Sequence, residues 1–135
     1  MSLRGHQYRQ PTVYVTEADH ERLANLARTS DTRGARLLAE ELDRAVIVGE
    51  DEPFRPFVRL NSRVEFTDLM TGRTRRVEVV PPDEADIDQN RLSVLTPVGA
   101  SLIGLAAGES IGLKTEHGRP QVLMVVDVEA ARVTA

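Results

Sequence analysis

The segment VLTPVGASLIGLAAGES, Val94 to Ser110, carries three glycines, one Thr-Pro pair and no charge before Glu109. Its reading separates a nucleotide binder from a membrane protein and from a docking module built around a buried helix. A phosphate-cradling loop ends in Gly-Lys-Ser/Thr, because the lysine reaches the phosphates and the hydroxyl holds magnesium. Here Gly104 is followed by Leu105 and Ala106, and the first lysine of the chain is Lys114. A membrane span needs about 20 apolar residues in a row, and no window of this sequence approaches that. A short helix accounts for the residues better. Thr96 serves as N-cap and Pro97 takes the first helical position. Val98, Leu102, Ile103 and Leu105 supply the apolar side, and Gly108 the stop.

The surroundings predict the sheet on which that helix lies. SRVEFTDL alternates Val64 and Phe66 with polar neighbours, MTGR offers a turn, and RRVEVVP alternates again, which reads as a hairpin. RLSVL, ESIGLKT and PQVLMVVDVEA read as three further strands, the last two joined at His117-Gly118. The expected architecture is an α+β antiparallel sheet with one short helix, over residues 58–135. Upstream, GEDEPFRPF breaks regular patterning and marks a linker at 50–57. Residues 1–49 read as a short extended piece followed by an antiparallel helical hairpin. Thr16 and Asp19 have the spacing of a capping box, and Leu23 and Leu26 mark the apolar side of the first helix. TSDTRG breaks it. Ala35, Leu38, Leu42 and Ala45 form the stripe of the second helix, with Gly49 as its stop. The two helices would be only about 18 and 24 Å long.

Composition narrows the chemistry. Of 135 residues 41% are hydrophobic, yet only five are aromatic, so Val, Leu, Ile and Ala must fill the core. A net charge of -4 argues against a general nucleic-acid surface. The absence of cysteine excludes disulfides, thiol catalysis and cysteine zinc sites, and fits a reducing, cytoplasmic setting. The N-terminus lacks the apolar run of a signal peptide. Asp86, Asp88 and Asn90 are spaced like the start of a calcium loop, but its sixth position is Arg91 and its twelfth Pro97, where glycine and glutamate belong. His6, His20 and His117 show no ligand spacing. No catalytic residue, metal or cofactor is expected. Arg73, Arg75 and Arg76 form the densest basic patch, read as a solvated sheet edge or as a groove for an anionic partner. The extended VYV followed by two helices also looks like a ribbon-helix-helix DNA-binding domain. Residues 1–49, however, hold seven arginines against seven acids, and VYVT has no basic or amide side chain for base edges.

The sequence DEADIDQNRLSVLTPVGASLIGLAAGESI resembles the C-terminal domain of the Gre-type bacterial transcription factors. The resemblance rests on Glu84-Ala85-Asp86, Ser93, Thr96-Pro97, Ile103-Gly104 and Gly108-Glu109, in that order. PTVYVTEADHERL, ELDRA and LNSRVEF are similar to the Rnk branch, called regulators of nucleoside diphosphate kinase. The resemblance covers about residues 11 to 130 and implies an FKBP-like domain plus a coiled-coil finger that engages RNA polymerase at its secondary channel. The family's docking loop maps onto Ser93 to Val98, with Thr96 and Pro97 as contact residues and Asp31 at the finger tip. Gre fingers carry two acids three residues apart that help hold the catalytic magnesium; here Asp31 is followed at that spacing by Gly34. A polymerase-binding modulator without cleavage stimulation is therefore expected, with any tie to nucleoside diphosphate kinase indirect. The FKBP likeness leaves a prolyl isomerase as the enzymatic rival, though no tryptophan and few aromatics are present to line its pocket.

Overall fold

A computed structural model describes residues 11–50, 56–114 and 118–129. His6, His117 and residues 51–55 of the expected linker lie outside them. The order is β1 (Tyr14–Thr16), α1 (Glu17–Arg28), α2 (Arg33–Asp43), β2 (Val46–Val48), β3 (Arg63–Asp68), β4 (Thr74–Val80), β5 (Arg91–Ser93), α3 (Pro97–Leu102), β6 (Ser110–Lys114) and β7 (Pro120–Glu129).

The first helix starts where the sequence places it. Thr16 is extended, and its Oγ1 accepts a hydrogen bond from the Asp19 N–H at 3.2 Å, satisfying one of the orphan donors of a helix N-terminus. The Asp19 carboxylate does not close the box back onto Thr16. It pairs instead with Arg59 at 2.6 Å and so ties α1 to the sheet-forming half. The hydrogen bond that Arg59 donates to Asp19, set against a loss of hydration, raises the pKa of the Arg59 guanidinium above its usual range. Because that folded value is raised, the arginine's contribution is complete below its unfolded pKa and is lost only in strong alkali.

The second helix is shorter than its stripe suggests. It ends at Asp43, and Arg44 lies off helical geometry at φ -106°, ψ 9°. Val46–Val48 then run as a strand, parallel to β1 and in register from Tyr14↔Val46 to Thr16↔Val48. The β-branched run Val46-Ile47-Val48 resists continued helix and finds a strand partner about thirty residues upstream. At the helix end, buried Glu41 accepts from Arg44 at 2.7 Å, and Arg44 also donates to the Pro11 carbonyl at 2.6 Å.

The main sheet has the order β5-β4-β3-β7-β6. Its junctions are antiparallel except β4–β5, which is parallel from Glu78↔Arg91 to Val80↔Ser93. The expected antiparallel sheet is present, with one parallel junction at its β5 edge. The acidic stretch does not make a tight turn; it runs through two short 3-10 turns, Pro82–Glu84 and Ile87–Gln89, and returns beside β4 in the same direction. Asn90 in left-handed geometry, φ 56°, closes the return.

One hydrophobic core unites the helical hairpin with the sheet. It includes Val13, Leu23 and Leu38 from the N-terminal part and Val58, Val64, Phe66, Leu102, Ile103, Leu105 and Leu123 from the rest. Each fully buried leucine or isoleucine contributes about 1.5–3 kcal/mol relative to exposure. Helix α3 stops at Leu102, earlier than Gly108; the left-handed residue that turns the chain is Gly104, φ 81°. At Gly104 the turn meets β1 closely. A side chain there would put its Cβ 2.3 Å from Val13 Cγ1, and the Gly104 carbonyl accepts from the Tyr14 N–H at 3.0 Å.

Candidate functional site

The stretch Ser93–Val98 joins β5 to α3, and its shape is set by local hydrogen bonds. Ser93 Oγ accepts from the Leu95 N–H at 3.0 Å. The Ser93 carbonyl accepts from the Thr96 N–H at 3.1 Å and from Thr96 Oγ1 at 2.7 Å. Thr96 Oγ1 in turn accepts from the Gly99 N–H at 3.0 Å as the N-cap of α3. One turn on, the buried Ser101 hydroxyl donates to the Pro97 carbonyl at 2.7 Å. Pro97 at the first helical turn loses nothing by lacking an N–H.

Two glycines lie close against this loop. A Cβ on Gly99 would lie 2.2 Å from the Ser93 carbonyl oxygen. A Cβ on Gly34, in the first turn of α2, would lie 1.8 Å from the Leu95 carbonyl oxygen and 2.8 Å from the Thr96 carbonyl carbon. The helical hairpin is therefore laid against the β5–α3 loop, backbone on backbone. Gly34 does not break a helix. It lets one approach.

The structure thus gathers Ser93, Thr96, Pro97 and Val98 into one half-buried, internally hydrogen-bonded loop. Asp31 stands just before α2, three residues from Gly34, with its side chain 96% exposed and paired to Arg36 at 2.9 Å. Thr32, its neighbour, caps α2 by accepting from the Ala35 N–H at 3.1 Å. Gly34 and Gly99 are the residues sequence reasoning missed as parts of this site. For Gly34 the only signal was a glycine in the first turn of an apolar-striped helix.

Chemically the loop offers shape and little reactivity. The hydroxyls of Ser93 and Thr96 already serve backbone groups, so neither is poised as a nucleophile. The half-exposed surface includes Leu95, Thr96, Pro97 and Val98. Among the described residues, no group of three or more His, Cys, Asp or Glu is placed to hold a metal ion. Asp86 uses its carboxylate to accept from the Asp88 N–H at 3.0 Å, a turn contact. His20 contacts the Leu42 carbonyl at the end of α2, at 3.2 Å. Of the three clustered arginines, Arg76 pairs across strands with Glu65 at 2.9 Å and Arg75 lies over the Phe66 ring at 5.9 Å. No described helix is long and apolar enough to cross a membrane.

The DNA-binding alternative meets a structural obstacle. In ribbon-helix-helix domains paired strands enter the major groove. Here β1 is bonded on one side to β2 and on the other to Gly104, with Val13 and Val15 buried.

A helical hairpin packed on a mainly antiparallel sheet, with the Ser93–Val98 loop held against α2, defines an α+β fold. The chain belongs to the GreA/GreB transcription elongation factor family. Residues 55–130 match the model for the transcription elongation factor GreA/GreB C-terminal region, and residues 11–48 match that for the Rnk N-terminus. The regulator of nucleoside diphosphate kinase of Escherichia coli K12 is 35% identical over 123 residues, which are 89% of this chain and 90% of that protein. The transcription inhibitor protein Gfh1 of Thermus aquaticus is 34% identical over 90 residues, 65% of this chain and 56% of that one. Among solved structures, the prokaryotic transcription elongation factor GreA/GreB from Nitrosomonas europaea aligns with a TM-score of 0.69 at 31% identity, covering 89% of this chain and 99% of that chain.

Proposed function

We propose that the protein is a non-catalytic modulator of transcription that docks on RNA polymerase through the Ser93–Val98 loop, at the secondary channel, without stimulating transcript cleavage. The family supports the partner: relatives along most of the chain are named as transcription factors or regulators. The observation that carries the site is the clamping of the loop by Gly34 and Gly99. A surface held in one conformation before binding loses less entropy when it docks. The non-cleaving mode rests on the hairpin. Its helices have 12 and 11 residues, about 18 and 16 Å, and the turn between them holds a single carboxylate, Asp31, already paired with Arg36. One carboxylate is a poor replacement for a pair at a magnesium ion. Any effect on nucleoside diphosphate kinase would follow indirectly from transcription.

The test must spare the fold. Thr96 is a poor probe, because its side chain is the cap of α3. Pro97→Glu is better: glutamate suits the first turn of a helix, yet it places a charge on the half-exposed docking surface. Purified core polymerase should retain the wild-type protein and release Pro97→Glu. If the wild type is not retained, the partner is wrong; if the folded variant binds equally well, the site is wrong.

A further inference from the structure

The turn that leads into β5 holds out an aliphatic side chain that the fold does not use. Ile87 is 87% exposed, whereas Met70, the next most exposed large apolar side chain among the described residues, is at 58%. The turn itself does not require isoleucine. Such positions favour Gly, Asn, Asp and Ser for backbone reasons, and here the neighbours meet those needs. Asp86 Oδ1 accepts from the Asp88 N–H at 3.0 Å, and Asn90 supplies the left-handed residue. Asp86 and Arg91 exchange backbone hydrogen bonds at 3.0 and 2.9 Å, closing residues 87–90 into a tight tip. The Asn90 carbonyl accepts from the Glu78 N–H at 2.8 Å and moors that tip to β4. A β-branched side chain with few rotamers is thus displayed on a hydrogen-bonded turn, where docking orders little that is not already ordered.

Charge and position indicate the partner. Residues 81–90 hold Asp83, Glu84, Asp86 and Asp88 and no cation. The carboxylates of Asp83 and Asp88 take no hydrogen bond or ion pair among the described residues. An anionic rim around an apolar tip complements a basic surface with an apolar notch, and it repels nucleic acid and anionic membrane alike. The turn lies at the start of β5, the edge strand of the main sheet, and the Ser93–Val98 loop begins where β5 ends. The strand between them spans about 10 Å, well inside a standard interface of about 800 Å² per partner.

We propose that Ile87 is a second anchor on RNA polymerase, entering an apolar notch in a basic patch of the enzyme beside the surface that receives the Ser93–Val98 loop. The inference rests on the polymerase reading above and adds the chemistry of the receiving surface. That surface is apolar where Ile87 enters and basic where Asp83 and Asp88 meet it.

Equilibrium binding of the full-length protein to purified core polymerase tests it. Ile87→Ser keeps a residue suited to the turn and should weaken binding by about tenfold or more, the loss expected when a buried aliphatic anchor is removed. Met70→Ser, an exposed apolar position in the β3–β4 turn at the opposite end of the sheet, should bind like the wild type. Asp83→Asn combined with Asp88→Asn should weaken binding at low salt, and the difference should shrink as salt rises. All of these variants should keep the wild-type melting temperature, because the replaced side chains lie on the surface. A wild type that does not bind removes the polymerase reading and this inference with it. If the wild type binds and Pro97→Glu does not, while Ile87→Ser binds with full affinity, only the Ile87 anchor is overturned. Equal losses for Ile87→Ser and Met70→Ser overturn it as well. Sedimentation of the protein alone covers the other occupant: a concentration-dependent mass abolished by Ile87→Ser would give Ile87 to a second copy and overturn the proposal.

Discussion

Replacing Gly34 by alanine sets two physical effects against each other, and the structure decides the sign. By helix propensity alone the change in α2 should stabilise the protein by about 1 kcal/mol. The new Cβ, however, would lie 1.8 Å from the Leu95 carbonyl oxygen, 2.6 Å from its carbon and 2.8 Å from the Thr96 carbonyl carbon, where ordinary contact begins near 3.4 Å. All three atoms are backbone, so no side-chain rotation relieves the clash. The loop or the helix must retreat by about 1.6 Å within a packed interior. Overpacking of this kind costs about 1–3 kcal/mol. Displacing Thr96 also weakens its capping bond, worth about 1 kcal/mol. The net expectation is a loss of roughly 1–3 kcal/mol, or about 4–10 °C in Tm for a chain of this size. Urea unfolding at unchanged m value reads it directly. A Gly34→Ala protein more stable than wild type by about 1 kcal/mol would refute the close approach of α2 to the loop.

Thr96→Ala should cost about 1 kcal/mol, whereas Thr96→Ser, which keeps the oxygen bonded to Ser93 and Gly99, should cost a few tenths, as measured by the same denaturation. Arg44→Ala should destabilise more than Glu41→Ala, because it leaves a carboxylate whose side chain is 4% exposed without its cation, while Glu41→Ala leaves a guanidinium 30% exposed. Unpairing the buried member of such a pair costs about 3 kcal/mol or more. Arg59→Met should cost no more than about 1 kcal/mol, falling with added salt, since that side chain is 38% exposed.

What the sequence revealed of this fold is what is local. Thr16 and Thr96 are legible as caps because the oxygen and the N–H it binds lie three residues apart. Val64 with Phe66 and Val77 with Val79 are legible because one buried face imposes a period of two. The failures are non-local. Val46–Val48 pair with a strand about thirty residues upstream, so the stripe through Leu38 and Leu42 ran on into them. The parallel return of β5 depends on a ten-residue path whose turns are set by Asp86 and Asn90. At the candidate site, Thr96 and Pro97 stand out in the sequence, but the close approach of Gly34 to their backbone does not. A glycine reports the absence of a side chain, and only the fold says which backbone fills the space.

Docking on RNA polymerase is proposed for the clamped loop before α3. Equilibrium binding of the wild-type protein and of Pro97→Glu to purified core enzyme tests it most directly, with circular dichroism confirming that both are folded. The wild type should bind saturably, and the variant should lose that binding. A wild type that does not bind, or a folded Pro97→Glu protein that binds with undiminished affinity, would contradict it.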